Sequence, residues 1–418
     1  MGIGDKLMKM IVKVRDVVSL AKRFEEAPRE ALRAVVEHTR ETVKAALEQV
    51  MDAEIELFLG KDSEAQNKRN GFVTRTFGIK GVGTVELRVP RDREGRYASK
   101  VVPPAKHNDP EIARDLALLH LAGISTRMLA HLSQCVLGVK VSHAHVSHAL
   151  KELVPAAKRF LDRPLGELKY KYLYVDGTFF HVRRTTVDAE PTLVVLGVDE
   201  HDCRSILAMV QGDKDDARAW RMVFAQLKER GLDAAAVQLG IMDGLPGLAE
   251  AFREAFTKAR VARCWVHKAR NVMPLVPKRF QAEFQPDWDK IAYASDRAAA
   301  QAAFDALKAK WSPTCNDAVE RLERDLAALL AHYDFPKAHW DALRTTNPIE
   351  RVNKEFKRRS KAMETIGSDG LKVLLAFTAI RLEYGWATTP ISSNKVAHLG
   401  MRAHYEAKLE AITKGLLH

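Results

Sequence analysis

The order of apolar periods between Tyr170 and Val266 limits the fold more tightly than any other stretch of the chain. Tyr170 to Val175, Thr178 to Arg183, Thr192 to Val198 and Ser205 to Val210 are β-like runs separated by turns, which predicts an antiparallel meander. From Ala217 to Arg230 the period becomes helical, with Trp220, Val223, Phe224 and Leu227 on one face. A strand from Ala236 to Met242, a helix from Pro246 to Phe256 and a short strand from Val261 to Val266 are expected next.

Strands in a run, then helix, strand, helix and strand, is the order of a ribonuclease H-like domain, so the expected fold class is α/β. Residues 166–271 would be its first part. From residue 272 to 340 the chain is alanine-rich and helical, as in Ala298 to Lys310 and Asp317 to His332, with no strand pattern. An all-α insertion is therefore expected, after which residues 341–386 close the α/β domain and 387–418 form a tail. A mainly helical N-terminal region, expected to bind DNA, comes before the sheet. Its residues 1–65 are helical by period; an oligomerisation element, a DNA-end-binding element and a plain helical bundle all fit. Residues 66–108 carry two short strands, Thr74 to Phe77 and Thr84 to Val89, and a basic turn from Pro90 to Arg96. Residues 109–165 hold three helices, Glu111 to Ala122, Thr126 to Val136 and Ser142 to Leu153. The last two have helix-turn-helix proportions and would present His143, His145 and Lys151, although short helix pairs are also common in structural bundles.

At 418 residues the chain is too long for one ordinary core. With 66 Lys+Arg against 54 Asp+Glu, the net charge of +12 favours a polyanionic partner, above all nucleic acid, because basic side chains gain affinity by displacing condensed counterions. Cys135, Cys203, Cys264 and Cys315 lack paired spacing, which argues for a reducing compartment and against a disulfide framework or a four-cysteine zinc site. No apolar run approaches a membrane span and the first residues lack a signal-peptide core. No membrane partner is expected, and a cytoplasmic, nucleoid-associated location is. A GxxxxGK[ST] loop is absent, so no nucleotide is expected either.

Two aspartates follow apolar strands: Asp176 in KYLYVDGTFF and Asp243 in VQLGIMDGLPGL. Asp-Gly alone is a common turn. Two such sites at the ends of strands expected to be neighbours, with Glu350 supplied by a later helix, form a set of hard oxygen donors that suits divalent metal and phosphodiester chemistry. Glu350 lies in RTTNPIERVNKEFKRRSK, residues 344–361. Here Asn347 reads as the N-cap, Pro348 as the first helical residue and Glu350 as the third, which also fits a capping box above a solvated basic face. Glu350, Lys354, Lys357 and Lys361 share one face of that helix, and Arg358 and Arg344 join the basic set expected to track DNA. In RCWVHKARNV, Cys264 and His267 form a C-x-x-H pair. Zinc would need two further ligands at suitable spacing, so the pair is expected to brace the site, or His267 to approach a phosphate. Arg263, Lys268 and Arg270 add positive charge beside it.

Together YVDGTFF, MDGLPGL, RCWVHKARN and TTNPIERVNKEFKRRSK resemble the Mutator-type transposases of bacterial insertion sequences, a branch of the DDE recombinases. The resemblance reaches back through RNGF and VPRDREG and covers roughly Arg69 to Trp386. It implies that Asp176, Asp243 and Glu350 are the catalytic and metal-binding triad and that the helical stretch between Asp243 and Glu350 is an insertion domain. It also implies Mg2+, with Mn2+ as substitute and two ions per active site. Binding to double-stranded DNA at terminal inverted repeats, nicking of the 3′ ends and strand transfer into target DNA follow from the same resemblance. Recombination of two DNA ends makes a homo-oligomer on DNA the expected assembly. A structure-specific nuclease of the same fold and a non-catalytic DNA-binding regulator remain as alternatives.

Overall fold

The computed structural model describes residues 17–61, 67–104, 106–183, 187–211, 216–361, 368–386 and 389–392, with residues 407 and 410. The tail expected over 387–418 lies almost wholly outside these residues. Internal contacts divide the chain into two units, Met1–Leu118 with Thr126–Val146, and Leu119–Ser125 with Ser147–His418.

The N-terminal region opens with helices α1 (Val17–Glu26) and α2 (Pro28–Lys61), then strands β1 (Arg69–Ile79) and β2 (Gly83–Asp92). Burial along β2 alternates, with Val85, Leu87 and Val89 inside and Glu86 and Arg88 outside, the period of a strand with one wet face. The inner row packs against Met51 of α2, Phe77 of β1 and Val102. Arg75 turns back on the protein and donates to the carbonyls of Val102, Pro103, Pro104 and Lys106 at 2.8 to 3.1 Å, which fixes the loop after the hairpin. Helices α3 (Pro110–Leu121), α4 (Thr126–Leu137) and α5 (His143–Glu152) fall where the sequence places three helices.

After α6 (Val154–Leu161) come strands β3 (Tyr170–Arg183), β4 (Val187–Asp199) and β5 (Arg204–Gln211). They are followed by α7 (Ala217–Glu229), β6 (Leu239–Met242), α8 (Pro246–Ala255) and β7 (Arg260–Arg263). The sheet is mixed, in the order β5-β4-β3-β6-β7. β3, β4 and β5 are antiparallel, whereas β6 and β7 run parallel to β3. One expectation changes here. The two runs on either side of Asp176-Gly177 are one strand, because Asp176 pairs opposite Val194 and Gly177 opposite Leu193 in the ladder with β4. Asp243-Gly244 does form a turn, with Gly244 at φ +97.

Alternation gives each sheet face its partners. Leu173, Val175 and Met242 pack with Trp220, Phe224, Leu248 and Phe252 of α7 and α8. Gly240 lies under the Phe252 ring, and a β-carbon there would overlap it. Tyr172, Tyr174 and Asp176 therefore point to the other face. There the Tyr172 hydroxyl lies 3.0 Å from His339 Nδ1, and the Tyr174 hydroxyl donates to the Ala342 carbonyl at 3.0 Å.

The chain then leaves the sheet through α9 (Trp265–Val272), α10 (Lys278–Ala292) and α11 (Arg297–Leu329), and returns through α12 (Trp340–Leu343), α13 (Asn347–Ser360) and α14 (Ser368–Trp386). The excursion has a core of its own, including Phe284, Trp288, Phe304, Trp311 and Leu322. α11 spans the gap expected between Lys310 and Asp317, but its geometry breaks at Cys315 (φ −139, ψ 43), two residues after Pro313. On the edge of β5, Glu383 of α14 accepts from the Ile206 amide at 2.7 Å while Arg163 donates to the Ile206 carbonyl at 2.9 Å. The buried Arg163–Glu383 pair, 2.6 Å apart, thus covers backbone groups that an open edge would expose.

Gly240→Ala is expected to lower stability by about 1 to 3 kcal/mol through overpacking against Phe252, read as a lower midpoint in chemical denaturation.

Candidate active site

α9 begins where β7 ends, and helical spacing gives it two faces. Trp265, Lys268 and Val272 are buried toward the helical excursion. Trp265 Nε1 donates to the Leu329 carbonyl at 3.0 Å, and its ring meets Trp288 edge-on at 5.3 Å. The Lys268 ammonium is held by the Arg321 carbonyl and the Asp325 carboxylate.

Cys264, just before α9, and His267 on its first turn face the other way. The Thr346 amide and hydroxyl each donate to Cys264 Sγ at 3.3 Å. Thr346 Oγ1 is also 3.2 Å from His267 Nδ1. With the hydroxyl proton on sulfur, Oγ1 accepts from the imidazole, which turns Nε2 toward Glu350 at 4.0 Å. Burial opposes a Cys264 thiolate, but hydrogen bonds from His267 and Thr346 outweigh it and bring the thiol below its ordinary range. The hydrogen bond to Cys264 holds His267 above its ordinary value against the effect of burial, and the charges of Cys264, Asp176 and Asp243 add to it. One imidazole thus feels its neighbour Cys264 and two acids from distant parts of the chain, Asp176 and Asp243.

Register explains where those acids stand. The last pair between β3 and β6 is Val175 opposite Met242, so Asp176 and Asp243 each follow it by one residue. Asp176 is buried on the strand; Asp243 is half-buried, and its Oδ1 accepts from the Leu245 amide at 3.1 Å as the chain turns into α8. Glu350 comes from the first turn of α13. The capping box expected there does not form. α13 starts at Asn347, so Glu350 is its fourth residue, and the N-cap Thr346 makes no side-chain cap because its hydroxyl is on Cys264 and His267. Glu350 Oε1 lies instead 3.0 Å from Arg270 Nη2, as an ion pair out of hydrogen-bond alignment. That buried oxygen accepts no hydrogen bond.

The basic residues divide into two groups. Lys354, Lys357, Arg358 and Lys361 are exposed along α13 and just past its end, and Arg270 is exposed on α9. Lys268, Arg263 and Arg344 have partners within the protein. Lys268 is buried, and Arg263 shares Asp325 with it at 3.0 Å. The buried Arg344 guanidinium lies 4.3 Å over the Tyr293 ring and 3.3 Å from Asp341. Thr346 and Asp325 are the two residues of this neighbourhood that sequence reasoning missed. Thr346 stands in the TTNPIE block, where a hydroxyl before a helix reads as a cap; Asp325 stands in a helix of alternating charge and carries no local signal.

Among the described residues, no three His, Cys, Asp or Glu side chains are grouped closely enough to hold a metal ion. The donor chemistry nevertheless suits a hard divalent cation: three carboxylates, one with an oxygen that is buried and lacks a donor.

Residues 17–372 match the family described as Transposase, Mutator family. The chain belongs to this family. The resemblance read from its motifs is borne out, and relatives from several bacteria agree. The transposase for insertion sequence element IS905 of Lactococcus lactis is 29% identical over 78% of this chain and 83% of its own length. That for IS1081 of Mycobacterium tuberculosis is 30% identical over 82% of this chain and 81% of its own. The transposase for IS256 in transposon Tn4001 of Staphylococcus aureus is 29% identical over 71% and 76%.

In this Mutator-family chain Thr346→Val keeps the side-chain shape and removes the hydroxyl shared by Cys264 and His267. It is expected to cost about 1 to 3 kcal/mol for a buried polar group left without its partner. Thr346→Ser, which loses only a methyl group, should cost about 0.8 kcal/mol. Denaturation midpoints of the two variants check the difference.

Proposed function

We propose that this chain is the DNA transposase of an insertion sequence, built on a ribonuclease H-like fold with Asp176, Asp243 and Glu350 as its catalytic carboxylates. The observations that carry the site are the β3–β6 register, which puts Asp176 and Asp243 each one residue past the same pair, and the place of His267, 4.0 Å from Glu350 and raised first by its hydrogen bond to Cys264 with smaller contributions from the charges of Asp176 and Asp243. An antiparallel meander beside two parallel strands supports the fold assignment. The names of the relatives favour transposition over simple hydrolysis or a regulatory role.

The reaction is read as two in-line displacements at phosphorus. In the first, a water oxygen bonds to phosphorus, the bond to the 3′-oxygen breaks, and that oxygen leaves as a 3′-hydroxyl with a proton. In the second, this 3′-hydroxyl attacks a target phosphodiester and the target strand's own 3′-oxygen departs, so no covalent enzyme intermediate is needed. Asp176, Asp243 and Glu350 would hold a divalent cation, Mg2+ or Mn2+ with two ions per site, which when bound would supply activation of the attacking oxygen and charge stabilisation of the departing one. The protein's own part is positional. Thr346 and Cys264 fix His267 against the three acids. Arg270, mostly exposed, can exchange Glu350 for a DNA phosphate, and Lys354, Lys357, Arg358 and Lys361 bind the backbone beside it. The helix-turn-helix proportions of α4 and α5 support reading of the terminal inverted repeats, and pairing of two DNA ends calls for a homo-oligomer.

Purified protein with Mg2+ or Mn2+ should nick DNA carrying the element's own ends and yield joined donor–target strands. Glu350→Gln, and separately Asp176→Asn, should lower nicking by more than about 100-fold, beyond the loss typical of a supporting residue. Full activity of either variant would reject the triad. Hydrolysis without joined strands would favour the nuclease.

A further inference from the structure

Away from the carboxylates, a cavity of about 430 Å³ opens between α8, β7 and α11. Its floor is apolar, with Phe256, Val261 and Ala328. Around it stand Arg253 from α8, Arg260 from β7 and Arg297 from the first turn of α11, and Asp334 is the one acid among the lining residues. Arg297 Nη1 lies 2.8 and 2.7 Å from the two Asp334 oxygens, and Arg260 pairs with the same carboxylate. Arg253 is exposed and makes no ion pair among the described residues. Three guanidinium groups against one carboxylate leave an excess of two positive charges around an apolar floor. A brace between β7 and the helical excursion accounts for Arg260 and Arg297. It does not account for Arg253, or for an Arg260 side chain that remains 62% exposed while paired.

We propose that this cavity is a second DNA-contact site, which takes one backbone phosphate with its sugar. The inference rests on reading the chain as a DNA transposase and adds a contact remote from the chemistry. Guanidinium forks match phosphate oxygens two at a time, and the apolar floor suits the C–H face of a deoxyribose. Exposed ion pairs are weak, so Asp334 yields its arginines to a phosphate at little cost. Arg260 opens β7 and Cys264 follows its last residue, so the cavity and the acids lie at opposite ends of a strand about 10 Å long. A duplex engaged at both places is held on two sides of the reaction centre.

Binding of a DNA duplex to the full chain in EDTA, measured over a series of salt concentrations, tests this without any cleavage. Arg253→Gln removes no ion pair or hydrogen bond among the described residues; it should weaken binding and reduce the slope of log K against log salt by about one. Asp334→Asn should tighten binding, a gain that misfolding cannot imitate. If both variants bind DNA as wild type does, the cavity is not a DNA site although the chain still binds DNA. If wild type shows no salt-dependent DNA binding, the functional reading itself falls. Deoxyadenosine monophosphate serves as the small-ligand probe: its binding to wild type and loss in Arg253→Gln, with the DNA slope unchanged, would assign the cavity to a free nucleotide and overturn the proposal.

Discussion

The arrangement of the acids depends on the bonds between Cys264 and Thr346. They join the end of β7 to the start of α13 across a separation of 82 residues, and both side chains are buried. Closing so long a segment carries an entropic cost that two hydrogen bonds to sulfur do not meet alone. The helical excursion between them supplies the rest, because its own apolar core forms from α10, α11 and Trp265 and brings its two ends together. α9 takes part in both. Trp265 and Lys268 anchor the excursion, while Cys264 and His267, from the same short segment, face the carboxylates. Glu350 reaches the sheet because the excursion folds and because β3 receives the returning chain, through the Tyr172 hydroxyl on His339, the Tyr174 hydroxyl on the Ala342 carbonyl and the packing of α13 on β3.

This dependence explains why the basic residues of the sequence cannot be taken as one set. Lys268 and Arg263 stand beside the C-x-x-H pair, and the net charge invites reading both as DNA ligands. Their common partner Asp325 lies 57 and 62 residues further on, on a different helix. Charge counting registers the cations; only the fold registers which of them already have an anion. Lys354, Lys357, Arg358 and Lys361 differ in exposure, even though Arg358 pairs with Glu355 at 3.1 Å, because Ile349, Val352 and Phe356 occupy the buried stripe of the same helix and leave these residues on the wet side. That division is legible in the sequence because it is local and periodic.

The same distinction runs through the fold. Helices α3 to α5 emerge close to their expected bounds, and the order of elements from β3 to β7 follows from periodicity, but β7 stops at Arg263 and Trp265-Val266, expected as strand, open α9. Asp176-Gly177 misled because Asp-Gly is a turn signal by local propensity, whereas here β4 pairs straight through it and tertiary pairing overrides the local preference. Asp243-Gly244, with the same two residues, does turn, since β6 ends at Met242. The start of α13 misled in a similar way. Asn347, expected as the N-cap, is the first helical residue; the cap position falls to Thr346, whose hydroxyl serves a cysteine and a histidine that no local rule brings near.

The position of the acids also has an electrostatic logic. Asp176 and Asp243 each stand one residue past the last pair between β3 and β6, and acids so placed need positive potential nearby to remain charged. α8 starts just after Asp243, α9 just after β7, and α13 three residues before Glu350, so three helices begin at this corner of the sheet. Each contributes the positive end of its dipole, and at α8 the Leu245 amide donates to Asp243 directly. The raised proton affinity of His267 and the Arg270 ion pair with Glu350 add positive potential at the same place. An open sheet gathers helix starts at the carboxyl ends of its parallel strands, and there acids are tolerated without being neutralised by fixed, buried cations. The groups that meet Glu350 are a half-buried imidazole 4.0 Å away and a guanidinium that is mostly exposed. Glu350 thus keeps a charge whose guanidinium partner is open to water and exchange, which a buried Arg–Glu pair such as Arg163–Glu383 does not.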